Sequence, residues 1–459
     1  MEKSLYDEVL QEIFQKLPSS CSSSVSLVSK RWLRLFRSSR ASLSLRLSPH
    51  PSLLPSLSTF LSHHPFLSSL SLSLSLSPIP SSHLLSLISS CPNLLSLTLS
   101  PAPLSLSSLL SLSSALPRLT SLSITLPRPI SLTWLLSFPC LKQLTLSFSS
   151  HQAHVTPEES QHFYAESQLG LALETLSLVG LCGDDWGLGW LYKRCTSLKK
   201  LSLHSCQGIG ASYSSFVKCL QGLHSIELRT CRTVVYAILL ELREHSSSLN
   251  SLLVHDGGSR EGLLQFFSQS RSTLHKLDLR LPLDLNNDHL LAMALYLRGL
   301  SVLRLQSCCL VSGEGLKALA VSFGGLEELA LVNCDVVERE PGLLATLGQH
   351  LRKLRKLDLS HNEMLLDKEF VSMLFSCVCL VDLRVRGCKE LTTVAVASML
   401  RSCKSLENVD IMQCLGIGSE AVELFVKNAS RLRRVEVEGS KLSDAAKMWA
   451  SSKFVQVVV

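Results

Sequence analysis

Between positions 41 and 150 the sequence has no acidic residue. That stretch carries only Arg46, Arg118, Arg128 and Lys142 among serines and leucines, whereas residues 151–459 hold basic and acidic side chains in balance. The net charge of +7 is therefore a thin excess, spread out rather than gathered on one face or tail. A nucleic-acid-binding chain concentrates its basic residues, so no nucleic-acid partner is expected. Also missing is any run of roughly 18 consecutive apolar residues, the length a spanning helix needs. Serine or proline breaks every leucine-rich run, and no membrane partner is expected. The start, "MEKSLYDEVLQEI", lacks the apolar core of a secretory signal, which leaves cytoplasmic and/or nuclear residence as the expectation. No phosphate-binding glycine loop, G-x-S-x-G or H-E-x-x-H is present, and the fifteen histidines are scattered. The sequence thus points to no catalytic residue, no cofactor and no enzyme activity of its own.

What is abundant is leucine at a fixed rhythm. The unit Leu-x-x-Leu-x-Leu, with Ile or Val as substitutes, starts at Leu67, Leu94, Leu119, Leu141, Leu173, Leu198, Leu223, Leu249, Leu274, Leu300, Leu326, Leu354, Leu380, Leu406 and Leu432. Neighbouring copies lie 25 to 28 residues apart, except for a step of 22 after Leu119 and one of 32 after Leu141. Such a period with such a unit is the signature of a leucine-rich repeat. The L-x-L alternation puts two leucines on one face of a strand. The intervening stretches, such as "EGLKALAVSF" (314–323) and "SEAVELFVKN" (419–428), have helical apolar spacing. One strand and one helix cannot bury their apolar faces alone, but stacked copies can. The expected fold is an α/β leucine-rich-repeat solenoid, a horseshoe with a curved parallel sheet inside and helices outside. The low-complexity tract "SLSLSLSLSP" (69–78) reads as its first clear strand.

Ten of the sixteen cysteines follow the same register. Cys206, Cys231, Cys308, Cys334, Cys388 and Cys414 sit three residues after L-x-L, and Cys91, Cys195, Cys377 and Cys403 sit three before the first Leu. Small buried hydrophobes suit these corners, and no clustered C-x-x-C spacing points to a metal. Disulfides are not expected, which fits a reducing compartment.

The first forty residues differ. In "LYDEVLQEIFQKLPSSCSSSVSLVSKRWLRLF" (5–36), Val9, Leu10, Ile13, Phe14 and Leu17 form one helical stripe, Pro18 ends it, and Val25, Leu27, Val28, Trp32 and Leu35 suit a second helical segment. This unit resembles an F-box, most closely through "SLVSKRW", and the repeats with "LxLxxC" corners resemble the cysteine-containing subclass. Together they resemble an F-box/leucine-rich-repeat protein, with a Ser/Leu-rich, plant-like early region. The divisions expected are an F-box-like helical domain at 1–40, a solenoid of about fifteen repeats at 41–440 and a C-terminal cap at 441–459, with Ser443 as a helix N-cap. Tyr6 stands where the family has Pro, and Cys21, Ser22 and Ser23 stand where it has an acid and two leucines.

The resemblance implies a substrate-receptor subunit of a Skp–cullin–F-box ubiquitin ligase. A Skp-family adaptor would dock on Leu5, Val9, Leu10, Ile13, Phe14, Leu17, Pro18, Val25, Val28 and Trp32, and would bring in the cullin and RING subunits that transfer ubiquitin. A target protein would dock on the inner sheet. Its exposed strand positions are bland in early repeats (Ser96, Thr98, Ser121, Ser123) and gain charge later. Arginine is favoured at binding hot spots. The candidate target site is His204, Arg229, His255, Arg280, Arg304, Gln306, Arg384 and Arg386. Two irregular segments, 149–166 and "GLCGDDWGLGW" (180–190), are candidate contact loops. The alternative from another class is a repeat scaffold that binds a protein with no ligase role.

Overall fold

A computed structural model describes residues 5–17, 21–47, 53–74, 85, 87–88, 90–128, 132–152, 170–183, 185, 187–210, 213–270, 272–282 and 284–459. The chain forms two compact units, Met1–Gly222 and Leu223–Val459.

The first unit opens with three helices, α1 (Asp7–Lys16), α2 (Ser22–Val28) and α3 (Lys30–Ser39). Among the described residues seven parallel strands follow: β1 (Ser42–Leu47), β2 (Ser69–Leu74), β3 (Ser96–Pro103), β4 (Ser121–Arg128), β5 (Gln143–Gln152), β6 (Thr175–Val179) and β7 (Lys200–His204), each paired with the next in chain order. The Ser/Leu tract is therefore the second strand and not the first. The earlier "SLSLRL" (42–47) has the same alternation and pairs with it residue for residue, Leu43 on Leu70 and Leu45 on Leu72. It escapes a search for the full repeat because Leu-x-x precedes the later strands and not this one.

The second unit holds ten parallel strands in chain order: β8 (Ser225–Arg229), β9 (Ser251–His255), β10 (Lys276–Arg280), β11 (Val302–Gln306), β12 (Glu328–Val332), β13 (Lys356–Asp358), β14 (Asp382–Arg384), β15 (Asn408–Asp410), β16 (Arg434–Glu436) and β17 (Gln456–Val458). A helix follows each strand from β8 to β16. The two expected helices lie at Gly313–Ser322 and Ser419–Asn428. The second buries Ala421, Val422, Phe425 and Val426, the i, i+1, i+4, i+5 stripe of a helix with one covered face. This is the α/β leucine-rich-repeat solenoid fold. Ser443 caps the helix Asp444–Ser452 by accepting from the Ala446 N–H at 3.0 Å, and β17 then pairs onto β16.

Two details explain the register. The residue leaving each strand is left-handed in Thr230, Asp256, Leu281, Ser307, Asn333 and His361, with φ between 48° and 63°. Its N–H reaches the next repeat, as Thr230 N does to His255 O at 2.8 Å and Leu281 N to Gln306 O at 2.9 Å. At the equivalent Gly387 (φ 73°) a Cβ would lie 2.9 Å from His361 Nδ1, so a side chain there would have to displace the exposed His361 ring. The ten register cysteines are all buried and none is in a disulfide. Of those that follow a strand, Cys206, Cys334, Cys388 and Cys414 look back one repeat: their thiols donate to carbonyls of the preceding strand segment, Cys388 to Leu359 O at 3.1 Å and Cys414 to Val385 O at 3.0 Å. In the repeat between Cys334 and Cys388, Asn362 takes the same place. Its Nδ2 donates to Leu331 O at 2.8 Å and Leu359 O at 2.7 Å, and its Oδ1 accepts from Cys334 N at 2.9 Å. Buried backbone carbonyls need partners, and at these corners a thiol or an amide supplies one.

Candidate interaction surfaces

The helical unit at the N-terminus is closed by its own core. Leu10, Phe14, Val25, Leu35 and Phe36 are buried, with Leu17, Cys21 and Trp32 packed against them. The Phe14 ring lies 5.3 Å from Trp32 and 5.9 Å from Phe36. Arg31 ties α3 to the start of α1, donating to Asp7 Oδ1 at 2.6 Å and Leu5 O at 2.7 Å, and Ser29 caps α3. The apolar stripe expected on α1 thus divides in two. Leu10, Phe14 and Leu17 face inward, whereas Leu5, Val9 and Ile13, spaced by four and set off by one residue, are exposed. One residue is about 100° of helix, enough to turn a side chain from core to solvent.

The expected adaptor residues therefore do not share a face. Leu10, Phe14 and Val25 are inside the core, Leu17 and Trp32 are half-buried, and Leu5, Val9, Ile13 and Val28 are exposed. Pro18 lies outside the described residues. Two exposed apolar residues were not on that roster: Tyr6, and Leu27, the most exposed leucine of the unit at 84%. Their signal was present, since both immediately neighbour assigned positions. The substituted Ser23 is exposed on α2.

The second surface is the sheet face of the Leu223–Val459 unit, opposite the leucines. An open cleft of about 370 Å³ lies on it. Five of the eight expected target residues line it: Arg280, Arg304, Gln306, Arg384 and Arg386. The other three do not. Arg229 pairs with Glu227 on β8 at 3.3 Å, His255 ends β9, and His204 belongs to the first unit, where its Nε2 lies 3.1 Å from Ser202 Oγ.

No arginine of the cleft stands alone. Arg280 holds Asp278 through two bonds, Nε to Oδ1 at 2.9 Å and Nη2 to Oδ2 at 2.8 Å. Arg304 Nε donates to Glu328 at 2.6 Å, Arg384 Nε to Asp382 at 3.2 Å, and Arg386 spans Asp410 and Glu436. The acids Asp278, Asp358, Asp410 and Glu436 line the cleft with the four arginines, so its formal charge balances. Burial pushes the Asp410 carboxyl above the usual range for an aspartate, against the pull of the Met412 N–H and Arg386. Asp278 sits two residues from Arg280 on one strand, Asp410 one repeat from Arg386 and Glu436 two repeats from it, and aligning the repeats would have revealed them.

Of the two irregular segments, most of 149–166 lies outside the described residues, as do Asp184 and Trp186. Asp185 is buried, not offered to a partner: it accepts from Arg128 Nε at 2.6 Å and Nη2 at 3.1 Å and from Cys182 N at 2.7 Å. Arg128 also reaches Gly180 O at 2.8 Å, which makes this a clasp within the first unit. Among the described residues no group of His, Cys, Asp or Glu could hold a metal, and no helix is long and apolar enough to cross a membrane.

Residues 3–41 match the F-box domain. The F-box domain thus takes in α1, α2 and α3. No curated protein matches the chain in sequence. Among solved structures, the yeast Rad7–Elc1 complex shares 16% identity at a TM-score of 0.44, over 98% of this chain and 92% of that one, a likeness that carries no further argument. A TLR13–ssRNA13 complex shares 17% identity at a TM-score of 0.52, and this chain covers 56% of that one while 90% of its own length is matched. That likeness is one of fold alone.

Proposed function

We propose that this chain is the substrate-receptor subunit of a Skp–cullin–F-box ubiquitin ligase, with the F-box domain docking a Skp-family adaptor and the repeats holding a target protein. The observation that carries the reading is an F-box domain whose core is already filled from within. With Leu10, Phe14 and Val25 satisfied inside, the exposed Leu5, Tyr6, Val9, Ile13, Leu27 and Val28 have no structural task in the chain itself. Apolar groups left in water are what a partner interface covers; burying an aliphatic side chain from full exposure is worth about 1.5–3 kcal/mol, of which the 43% still exposed on Leu5, Val9 and Ile13 offers a part and Leu27 at 84% most. The chain would catalyse nothing, since ubiquitin transfer belongs to the RING subunit and its conjugating enzyme. The target would lie on the sheet face of β10 to β16, where strand side chains of alternating charge are displayed.

The test is reconstitution. The full chain, mixed with a Skp-family adaptor, cullin and RING subunit, should elute with all three, and omission of the adaptor should release it. A chain that stays separate from the complete set would refute the ligase reading.

A further inference from the structure

We propose that the cleft on the second unit binds an acidic peptide segment, with an apolar side chain seated over Ala330 and Val332 and carboxylates on the flanking arginines. The inference rests on the reading that the sheet face takes the target, and adds the chemistry of what it takes.

The cleft exists because one strand is short of bulk. β10 and β11 present Asp278, Arg280 and Arg304, and β13 to β16 present Asp358, Arg384, Asp410 and Glu436. Between them β12 presents Ala330 and Val332, which form an apolar floor. Arginines rise on both sides, Arg280 and Arg304 on one, Arg384 and Arg386 on the other.

Formal charge balances here, but the layers do not. The arginine side chains are 32% (Arg280), 32% (Arg304), 50% (Arg384) and 35% (Arg386) exposed, whereas their partners Asp278, Glu328, Asp382 and Asp410 are 2%, 13%, 16% and 10% exposed. The carboxylates lie beneath and the guanidinium groups lie on top. An incoming ammonium would meet guanidinium first and find Asp278, Glu328, Asp382 and Asp410 committed, which leaves Asp358, held by the Ser360 N–H at 3.0 Å, as the lining acid without a guanidinium partner among the described residues. An incoming carboxylate would meet N–H donors directly. Those donors are to hand: Arg280, Arg304 and Arg386 bond through Nε and Nη2 and Arg384 through Nε alone, so that the Nη1 groups of all four and Nη2 of Arg384 have no protein partner among the described residues. Guanidinium held by a carboxylate behind it is preorganised, so little side-chain freedom is lost on binding.

The test uses the full chain and two labelled probes followed by fluorescence anisotropy: a short peptide of alternating glutamate and leucine, and its lysine–leucine counterpart. The glutamate peptide should bind, and more weakly as salt rises. Arg304→Gln and Arg384→Gln should each weaken it about tenfold, the loss of one charge-assisted bond. In Arg304→Gln, Lys356 at 3.7 Å still faces Glu328, so the fold has reason to survive. Val332→Trp, which fills the floor, should abolish binding. Equal or tighter binding of the lysine peptide, failure of both peptides to bind, or glutamate binding indifferent to all three substitutions would overturn the proposal. A lysine peptide displaced by Val332→Trp would remove the acidic class while leaving the sheet face as the docking site. Peptide binding untouched by that substitution would remove both.

Discussion

Arg386 holds Asp410 and Glu436 at once, with Nε 2.8 Å from Asp410 Oδ2 and Nη2 2.8 Å from Glu436 Oε2, so that one side chain links three neighbouring repeats. Asp410 is nearly buried, and its other oxygen accepts from Met412 N at 3.0 Å. Removing the guanidinium strands that carboxylate. Arg386→Ala is expected to cost about 1–3 kcal/mol, the penalty for a buried polar group left unpaired. Arg384, half-exposed with one bond at 3.2 Å, is a surface pair, and Arg384→Ala should cost about 0–1 kcal/mol. Urea midpoints of the two variants check the ranking. Equal midpoints would mean that the bridge carries no stability.

Asn362 tests the logic of the corner. Asn362→Ala removes a donor from Leu331 O and the acceptor of the Cys334 N–H in a fully buried site and leaves Leu359 O only the Cys388 thiol, for about 1–3 kcal/mol. Asn362→Cys should cost less, because Cys388 and Cys414 already serve neighbouring corners through their thiols. Thermal or urea unfolding of both variants decides it, and a cysteine variant no better than alanine would refute the donor rule.

His289 makes the second unit sensitive to acid. Its Nδ1 accepts from Asn286 N at 3.2 Å, its Nε2 lies 2.8 Å from Arg260 O, and burial holds its pKa below the ordinary 6.5. The unfolded chain therefore takes up this proton first. The contribution is complete above about pH 6.5 and is lost as pH falls from there through the depressed folded value. Against wild type, His289→Gln should lose less stability between pH 7.5 and 5.5, read from urea midpoints; parallel pH profiles would contradict it.

Thiol reactivity should divide by register. Burial pushes Cys403 up to about 12, and Cys377 likewise, so both are protonated and shielded at neutral pH. Cys140, Cys309 and Cys379 are exposed. Maleimide labelling of the native chain, located by mass spectrometry, should mark these three first, with the register cysteines marked only in denaturant. Early labelling of Cys403 would contradict the buried corner.

The repeats were legible because leucine, cysteine and period all report the same burial, which residue type encodes directly. The strand at 42–47 was less so, for it carries the alternation without the preceding Leu-x-x. The arginines of the cleft could be found from strand position alone. Their neutralising partners and the small floor at Ala330 could not, since both depend on which residues the register sets side by side. On α1 the residue types announced an apolar helix but not which leucine-like side chains the domain would keep for itself. That division follows from the packing of Phe14 against Trp32 and Phe36.

The most direct measurement is the affinity of the full chain for a Skp-family adaptor by calorimetry, alongside Ile13→Asp and Leu27→Asp. Both residues are exposed, so both variants should fold with an unchanged circular dichroism spectrum and lose adaptor binding at least about tenfold, the cost of placing a charge in an apolar contact. Undiminished binding by both, or no binding by the folded wild-type chain, would contradict the account.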